Sequence, residues 1–552
     1  MLIRPAHDTH TELPLFVALQ DPACYPHPVA GVRMLETHIS WVMLTGETAY
    51  KIKKPVDLGF LDFTTLGLRR HYCEEELRLN RRLAPELYLD LVEIRGTPAA
   101  PRISGTGPVL EYAIRMREFP QASLASRALA RGAFGAAEVD ALAAAIARFH
   151  DEAPRARMQE RFGAPDAVLA DALQNFEQVL PLARSAPDER VLRSLRRWTE
   201  REFARGRSVF EARKAHGMVR ECHGDLHLGN IVLIDGRPVP FDCIEFNDGL
   251  RWTDVMNEAA FLAMDLEDRG RRDLAWRFLN RYLEATGDYA GLAVLPFYLV
   301  YRALVRAKVH LMRSRQAGLP HAEKARLARA FQGYLALAAR LAAPRRPALI
   351  LAHGLSGSGK TTMTQPLVEA LGAVRVRSDL ERKRAHGLAP LAPSGSGVGT
   401  GIYSPQANTA TYLRLGELAQ EALRAGFSVV VDAAFLKRAE RDAFRAIAER
   451  LEAPFTILEF RAPLEVLHSR ITHRLARADD ASEADLAVLE HQLATREPLT
   501  PAEMAASFAV DATGPASHET WQPLIERLGA PARRKAARRT RRAPRRHNEK
   551  RR

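Results

Sequence analysis

The segment Cys222–Asn230 reads CHGDLHLGN and places two histidines, an aspartate and an asparagine between two short apolar runs. Phosphoryl transfer needs a base near the acceptor hydroxyl, oxygen ligands for Mg²⁺ and a cation on the nucleotide phosphates. Asp225 lies in a polar loop where it could accept a proton, and Asn230 could turn back to a metal. Asp242 follows the strand-like Pro238–Phe241, and its carboxylate suits Mg²⁺, which prefers oxygen ligands. The spacing therefore indicates phosphotransfer.

Two other interpretations of this segment are weaker. His223 and His227 are spaced i, i+4 and would bind zinc on one face of a helix, but Gly224 and Asp225 disfavour a helix and no third ligand is evident. A degenerate, inactive phosphotransferase is the stronger alternative. The presence of the whole charged set counts against it.

A second phosphate-binding pattern begins at Gly354. The sequence GLSGSGKT satisfies GxxxxGK[ST], follows an apolar strand and precedes a helix-like segment. Backbone N–H groups of such a loop wrap the phosphates, and the helix N-terminus adds a favourable dipole. We expect Lys360 to reach the β- and γ-phosphates and Thr361 to bind Mg²⁺. The predicted nucleotide contacts are Gly354, Gly357, Gly359, Lys360, Thr361 and Thr362.

Two predicted strand ends accompany this loop. Phe427–Asp432 is an apolar run that closes on a carboxylate, and we expect Asp432 to bind Mg²⁺ directly or through water. Val374–Asp379 is a shorter strand whose last residue, Asp379, can orient and deprotonate an acceptor hydroxyl. Arg382 follows, and two interpretations of it are equally good: it holds an anionic substrate, or it belongs to a solvated helix face.

Strands and helices must bring these residues together. Residues 31–54 alternate in a strand-like way, and Thr45–Glu47 would turn the chain between two strands. Leu66–Leu83 reads as a helix and Val109–Met116 as a strand. The sequence that follows is mostly helical, apart from a strand-rich section over 219–246. A small sheet-bearing lobe followed by a larger helical lobe is the predicted outline.

The clearest seam between domains is Ala342–Pro347, which places two prolines around two arginines before an apolar run. We therefore predict a first domain over 1–343, a second over 347–530 and a disordered basic tail over 531–552. The Gly- and Ser-rich Ser394–Gly401 lies inside the second domain and reads as a mobile loop.

The basic charge of the chain is localised in that tail. The formal net charge is +14, and residues 531–552 hold twelve lysines and arginines against one glutamate, so the remainder carries only +3. Such a segment repels itself and favours disorder. A solvated appendage is the simpler interpretation, and an anchor for nucleic acid is the alternative.

Length and composition narrow the class of protein. A chain of 552 residues with 47% hydrophobic content is expected to form two or three globular domains. The four cysteines lie far apart, which argues against a disulfide or zinc framework. No apolar run approaches the ~18 residues of a membrane span, and the start lacks the apolar core of a secretion signal. A cytoplasmic protein with no membrane partner is predicted.

The stretch HGDLHLGN, followed by PFDCIEF over 240–246, resembles the catalytic and metal-binding segments of the aminoglycoside phosphotransferase family, relatives of protein kinases. The resemblance implies a first domain of the α+β, protein-kinase-like class with two lobes. It also implies that Asp225 is the catalytic base and that Asn230 and Asp242 are Mg²⁺ ligands.

The same family needs a lysine on the small lobe and a helix glutamate that holds it. Lys51 fits the first role, and Lys53 on the same strand face is the alternative. Glu76 fits the second role, with Glu75 as its alternative. This chain departs from protein kinases at Glu36–Ser40, where a Gly-rich phosphate cover would lie, because that loop contains no glycine.

The second half resembles small P-loop kinases, a group that includes gluconate, shikimate and polynucleotide 5′-hydroxyl kinases. This implies an α/β P-loop domain with a parallel sheet. RSDLER over 377–382 is similar to the substrate-side segment of the polynucleotide kinases, which implies Asp379 as base and Arg382 as a substrate ligand. Arg470–Arg477 reads as the arginine-bearing lid over ATP, with Arg474 as the predicted contact. These segments favour a kinase over a mechanical AAA-type ATPase.

The pairing of the two domains resembles a family of predicted two-kinase bacterial proteins. It predicts an ATP- and Mg²⁺-dependent phosphotransferase with two nucleotide sites that acts on hydroxyl groups of small molecules. One alternative is a nucleotide-binding regulatory module without transfer. Another is a P-loop kinase that acts on 5′-hydroxyl ends of nucleic acid, which the basic tail would help to bind.

Overall fold

The computed structural model describes residues 14–59, 61–183, 185–477, 480–514 and 517–529. The predicted basic tail lies outside these residues, and its disorder stays a prediction. Among the described residues, no helix combines the length and apolar character that crossing a bilayer requires.

The first lobe is built on a six-stranded antiparallel sheet of order β1-β2-β3-β6-β4-β5. A short helix, α1 (Pro14–Ala18), precedes it. Its strands are β1 Arg33–Glu36, β2 Ser40–Leu44, β3 Thr48–Lys53, β4 Tyr88–Thr97, β5 Ala100–Ile103 and β6 Val109–Arg117. Thr45–Glu47 turns the chain between β2 and β3 as predicted.

Helix α2 (Leu66–Asn80) packs against β4 and β6 and carries the glutamates of the small lobe. It begins where the sequence predicts, because Thr65 caps it by accepting a hydrogen bond from the Leu68 N–H at 3.2 Å. It ends at Asn80, before the predicted Leu83, since Pro85 disfavours helical backbone in the residue ahead of it.

The larger lobe is helical around two small antiparallel sheets. One sheet pairs β7 (Val219–Glu221) with β10 (Trp252–Asp254), and the other pairs β8 (Ile231–Ile234) with β9 (Arg237–Pro240). The helices are α3 Ala125–Ala130, α4 Ala136–Glu152, α5 Pro165–Val179, α6 Ala186–Ala215, α7 Asp248–Arg251, α8 Val255–Asp268, α9 Arg272–Thr286, α10 Leu295–Ser314 and α11 His321–Leu341. Helix α8 is buried along nearly its whole length and forms the centre of the lobe.

The remaining strands form a parallel sheet of order β12-β13-β11-β14-β15. They are β11 Leu349–His353, β12 Val374–Arg377, β13 Val429–Asp432, β14 Phe455–Arg461 and β15 Ser507–Asp511. The helices are α12 Lys360–Leu371, α13 Ser378–Ala385, α14 Pro405–Arg424, α15 Arg438–Arg450, α16 Leu464–Arg477, α17 Leu486–Thr495, α18 Pro501–Ala506 and α19 His518–Gly529. The two sheets confirm the predicted fold classes: a kinase-like α+β domain and an α/β P-loop domain.

One predicted strand is shorter than expected. Strand β12 ends at Arg377, and Asp379 lies in the first turn of α13. The physical reason is that a carboxylate in the first turn of a helix interacts favourably with the helix dipole. Asp379 is therefore held by a helix start rather than by a strand end.

Helix α9 of the larger lobe covers the outer edge of β12. Asn280 Nδ2 donates to the Ala373 oxygen at 2.9 Å, and Asn280 Oδ1 accepts from the Arg375 N–H at 2.6 Å. Tyr289 Oη donates to the Arg375 oxygen at 3.4 Å. One continuous apolar core runs from the larger lobe into the parallel sheet. The predicted seam Ala342–Pro347 falls between α11 and β11, and the domain limits stay a prediction.

Candidate functional site

The segment Cys222–Asn230 forms the loop between β7 and β8. Asn230 Nδ2 donates to Asp225 Oδ2 at 2.8 Å, so the two predicted side chains lie together. His227 Nε2 lies 3.4 Å from the same oxygen. Burial acts to raise the pKa of Asp225, but His227 and the charge of Arg306 outweigh it and hold that pKa below its usual range. Asp225 is therefore a carboxylate at neutral pH.

Glu258 of α8 fixes the backbone of this loop. Its carboxylate accepts hydrogen bonds from the N–H groups of His223 at 3.1 Å and Gly224 at 2.6 Å, and His150 Nε2 lies 3.0 Å from it. Arg302 Nη1 donates to the Gly224 oxygen at 3.2 Å. The φ of Gly224 is 87°, a left-handed value that favours glycine. Sequence reasoning missed Glu258 and Arg302, because no local motif marks a residue that acts on the loop from a distant helix.

The loop geometry disfavours zinc at the two loop histidines. His223 Nε2 donates to the Phe241 oxygen at 2.9 Å, and its Nδ1 accepts from the Asp225 N–H at 3.3 Å. His223 therefore has no lone pair left for a metal. The second histidine, His227, accepts from the Gly229 N–H through Nδ1 at 3.0 Å.

A further set of possible metal ligands is buried behind the loop. Atoms of His150, Cys222 and Glu258 lie within 4.8 Å of one another. His150 uses both ring nitrogens, one with Tyr282 Oη at 2.8 Å and the other with Glu258 at 3.0 Å. The set is therefore a hydrogen-bonded support of the loop.

The lysines of β3 lie on one face of the strand and share one glutamate. Lys51 Nζ lies 2.7 Å from Glu76 Oε1, and Lys53 Nζ lies 2.7 Å from Glu76 Oε2. Lys51 also reaches Asp242 Oδ1 at 2.5 Å, whereas Lys53 pairs with the buried Glu245. Asp242 has a left-handed φ of 68° and a side chain 42% exposed, so its carboxylate faces the cleft between the lobes. Lys51 is thus the lysine that meets the predicted metal ligand.

The alternative glutamate, Glu75, points elsewhere. It pairs with Arg78 at 2.8 Å and with Arg251 at 3.7 Å. Burial acts to lower the pKa of Lys51, but Asp242 and Glu76 outweigh it and raise that pKa well above its usual value. The lysine is therefore a fixed positive charge in the cleft.

The second phosphate-binding pattern, Gly354–Thr361, links β11 to α12. Lys360 Nζ donates to the oxygens of Gly354 at 2.8 Å and Leu355 at 2.9 Å. Thr361 Oγ1 donates to Asp432 Oδ2 at 2.6 Å, which brings the two predicted metal ligands together. Burial lowers the pKa of Lys360, and the charges of Asp432 and Asp379 oppose this shift.

Glycine is required at two points of that loop. Gly357 has a φ of 81°, and a Cβ there would lie 2.8 Å from the Leu467 backbone oxygen. Gly359 has a φ of 79° and caps α12. The next predicted contact, Thr362, is exposed in the first turn of that helix.

Arg382, the predicted substrate ligand, lies buried and bonded to the residues that follow the Gly- and Ser-rich segment. Its Nη1 donates to the Ile402 oxygen and its Nη2 to Asn408 Oδ1, both at 3.0 Å. Its guanidinium also stacks over Tyr403 at 5.2 Å. These contacts tie Arg382 to the start of α14 and the turn before it, and a role for Arg382 on substrate stays a prediction.

The predicted lid corresponds to α16. Arg474 Nη2 donates to the Ala484 oxygen at 2.6 Å. The positive charge of Arg474 also helps to lower the pKa of Lys360. Arg470 lies nearer the phosphate loop, with Nη1 3.4 Å from the point that a Cβ on Gly359 would occupy. That nitrogen is buried without a hydrogen-bond partner among the described residues. Arg470 is the first residue of the segment RITHRLAR. The sequence therefore indicated an arginine-bearing lid, but it did not indicate which arginine lies nearer the phosphate loop.

Arg375 connects the phosphate loop to the larger lobe. Its Nη1 donates to the Thr361 oxygen at 3.1 Å and to Gln365 Oε1 at 2.8 Å. On its other side it pairs with Glu284 of α9, and only 1% of its side chain is exposed. The P-loop and the kinase-like domain are therefore joined by one buried side chain.

Comparison with known proteins agrees with this geometry. Residues 69–295 match the phosphotransferase enzyme family, and residues 349–499 match an AAA domain. The uncharacterized protein Rv2004c of Mycobacterium tuberculosis (strain H37Rv) is 32% identical over 510 residues, which cover 91% of this chain and 97% of that protein. The uncharacterized protein Mb2027c of Mycobacterium bovis gives the same values.

Solved structures also align with parts of the chain. A gluconokinase from Sinorhizobium meliloti 1021 is 25% identical, covers 33% of this chain and 94% of its own, and has a TM-score of 0.25. A choline/ethanolamine kinase family protein from Mesorhizobium loti is 14% identical, covers 58% of this chain and 94% of its own, and has a TM-score of 0.31. The domain matches confirm the predicted pairing of a phosphotransferase domain with a P-loop kinase-like domain.

Proposed function

Since this chain belongs to the family that includes these mycobacterial proteins and joins a phosphotransferase domain to an AAA domain, we propose that it is an ATP- and Mg²⁺-dependent kinase with two nucleotide sites. Each site transfers the γ-phosphate to a hydroxyl group of a small molecule. The observation that carries the proposal is the contact of Lys51 with both Glu76 and Asp242, because it places a fixed cation beside a carboxylate and the catalytic loop.

In the first domain, Asp225 orients the acceptor hydroxyl and takes its proton. A carboxylate with a lowered pKa is a weak base, so the proton moves late, when bond formation to phosphorus has made the hydroxyl acidic. Asn230 holds Asp225 in place, and Lys51 neutralises charge on the nucleotide phosphates.

The oxygen donors Asn230 and Asp242 suit Mg²⁺, a hard cation with oxygen ligands. Asp242 is partly exposed toward the cleft and is fixed by Lys51, so it fits the role of ligand. Bound Mg²⁺ would neutralise the developing phosphate charge.

In the second domain, Lys360 and the backbone N–H groups of Gly354–Thr361 bind the phosphates. Thr361 and Asp432 would hold the metal, and their hydrogen bond already brings the two oxygens together. Asp379 acts as the base for the acceptor, and Arg470 or Arg474 closes over the nucleotide. The basic tail favours a second candidate for this domain, a kinase of nucleic-acid 5′-hydroxyl ends.

Labelling with [γ-³²P]ATP and a metabolite pool tests the proposal. The wild type should label acceptors, Asp225→Asn should lose one set, Lys360→Ala should lose another, and the double variant should lose both. Asp235→Asn is the matched control, because Asp235 lies exposed in the turn between β8 and β9 at a φ of 50°, a conformation that asparagine tolerates. Absence of any labelled acceptor, with unchanged nucleotide turnover in both single variants, would favour a regulatory nucleotide-binding module instead.

For the nucleic-acid candidate, deletion of residues 531–552 should weaken RNA or DNA retention and reduce its salt dependence. Retention that is unchanged after the deletion would rule out this role of the tail.

A further inference from the structure

Helix α10 carries a basic stripe, defined as Arg306, His310 and Arg313, which are spaced i, i+4 and i+7 and so share one face. Each residue has a buried nitrogen that lacks a hydrogen-bond partner among the described residues: Arg306 Nε, His310 Nδ1 and Arg313 Nε. Burial and the neighbouring arginines lower the pKa of His310 to about 4, so this ring is neutral and its Nδ1 need not be a donor. Buried donors are normally satisfied, so the two arginine Nε–H groups on one helix face require an explanation.

The first end of the basic stripe lies at the catalytic loop. Arg306 Nη1 lies 3.3 Å from His227 Nε2. Because the Gly229 N–H donates to His227 Nδ1 at 3.0 Å, a neutral His227 carries its proton on Nε2, which faces Asp225 Oδ2 at 3.4 Å. His227 Nε2 then has no lone pair for Arg306. Apart from its contact with Tyr334 of α11, the Arg306 guanidinium therefore has no acceptor at His227, and its Nε lacks a partner among the described residues.

The other end of the basic stripe packs against α11 and lies within electrostatic range of the loop between β1 and β2. His310 stacks on Tyr334 of α11, with ring centroids 5.4 Å apart and an interplanar angle of 12°. Burial and the charge of Arg313 lower the pKa of His38, which lies in the loop between β1 and β2. Seven residues of helix span about 10 Å, so the basic stripe extends from Asp225 to the loop where a phosphate cover would lie.

Asp225 itself interacts with the charge of Arg306, and the other acids near the basic stripe are engaged elsewhere. Asp265 accepts from the Leu228 N–H at 3.0 Å and pairs with Arg269 at 3.2 Å. Glu323 pairs with Arg326 at 2.6 Å and reaches Arg313 only at 3.8 Å. Asp268 hydrogen-bonds to Tyr334, and burial raises its pKa.

We propose that the acceptor of the first domain carries an anionic group, a carboxylate or a phosphate, which Arg306 and Arg313 bind while its hydroxyl lies at Asp225. This rests on the proposed kinase function. In the reaction the hydroxyl oxygen forms a bond to the γ-phosphorus, the bond from that phosphorus to the β–γ bridging oxygen breaks, Asp225 takes the proton and ADP leaves. The basic stripe disfavours cationic amino acceptors, since like charges at a desolvated site repel.

Binding of inorganic phosphate tests the site directly. The full chain with Lys360→Ala, which disables the P-loop, is titrated by calorimetry with and without saturating AMP-PNP and Mg²⁺. We expect phosphate to bind in both conditions, and Arg306→Gln and Arg313→Gln each to weaken it at least about fivefold, with Arg313→Lys restoring part of the loss. Lys308→Gln is the matched control: it removes the same charge from α10 at a position beside Asp171 rather than in the basic stripe.

Three results would overturn the proposal: no phosphate binding, phosphate binding in the arginine variants as tight as in the parent Lys360→Ala protein, or binding that saturating AMP-PNP abolishes. The last would mean that the basic stripe holds the nucleotide's own phosphate. Failure to bind AMP-PNP at all would instead contradict the proposed kinase function, because phosphate binding is also measured without nucleotide. Circular dichroism of each variant checks that it is folded.

Discussion

Glu284 and Arg375 lie on opposite sides of the contact between the kinase-like lobe and the P-loop sheet, and they form a buried ion pair. Glu284 Oε1 accepts from Arg375 Nε at 2.9 Å and from Nη2 at 2.8 Å. Arg375 Nη1 in turn donates to the Thr361 oxygen at 3.1 Å. A glutamate of one domain thereby positions the residue that the other domain uses at its phosphate loop.

Glu284→Gln should destabilise the whole protein by about 3–5 kcal/mol, because it leaves the charge of Arg375 buried without a counter-charge. Unfolding in guanidinium chloride, followed by circular dichroism, measures the change. Glu189→Gln is the control, since its pair with Arg193 is exposed and should cost at most about 0.5 kcal/mol. Equal midpoints for the two variants would contradict this reading of the contact.

Substitution of each lysine of β3 should distinguish a role in turnover from a role in stability. Lys51→Met should lower turnover by the first domain about 10²-fold and cost less stability than Lys53→Met, since Glu76 keeps its pair with Lys53 and Asp242 is partly exposed. Lys53→Met should instead destabilise the fold by about 3–5 kcal/mol, because Glu245 loses its buried partner. Phosphate transfer and thermal unfolding are measured on both. Full activity in Lys51→Met with none in a folded Lys53→Met would reverse the two roles.

Gly357→Ala should weaken nucleotide binding to the second domain about tenfold or more, since a Cβ would meet the Leu467 backbone oxygen at 2.8 Å and displace the loop. Gly426→Ala is the matched control. Gly426 has a similar φ of 86° but nothing within 4 Å of its Cβ position, so only the conformational cost of about 1–2 kcal/mol applies. ADP titration of both variants distinguishes a clash from backbone strain, and equal affinities would argue against the clash.

Acid should unfold the protein partly through Glu258. Burial acts to raise the pKa of Glu258, but its hydrogen bond with His150 outweighs this and lowers the pKa to about 2. A depressed carboxyl pKa gives stability that is present above the unfolded pKa of ~4.3 and is lost as the pH falls toward 2. Each pH unit in that window costs at most about 1.4 kcal/mol.

Urea midpoints measured between pH 5 and pH 2.5 test this dependence. Glu258→Gln should be less stable at pH 5 and show a flatter decline, because it cannot titrate. Parallel curves for the wild type and the variant would assign the acid sensitivity to other carboxylates, such as Glu76.

Local patterns located the segment between β11 and α12 and the loop between β7 and β8, while the roles of their residues stay predictions. The spacing of glycines before Lys360 and the polar run around Asp225 are set by local backbone conformation, which depends on residues only a few positions apart. The choice between Lys51 and Lys53 could not be made this way, since both point to one face and the deciding contact with Asp242 is 191 residues distant. For the same reason Glu258, which acts on the loop from another helix, left no signal.

The contact between the domains was equally invisible in the sequence. Arg375 alternates with valines in the short strand β12, and nothing in this pattern marks it for burial, yet only 1% of its side chain is exposed. Its burial depends on Glu284, and neither residue belongs to a motif. Resemblance to two families predicted both domains but not how they touch.

The covering of β12 by α9 also affects whether the P-loop half would associate with other chains if it were expressed alone. Asn280 and Tyr289 satisfy backbone groups that an outermost strand would otherwise present to other chains, and such bare edges recruit strands from neighbouring molecules. Expressed without the kinase-like domain, the P-loop half would expose the unpaired edge of β12 and part of the shared apolar core. The larger lobe therefore protects the P-loop half from edge-to-edge association, in addition to joining the two domains in one chain.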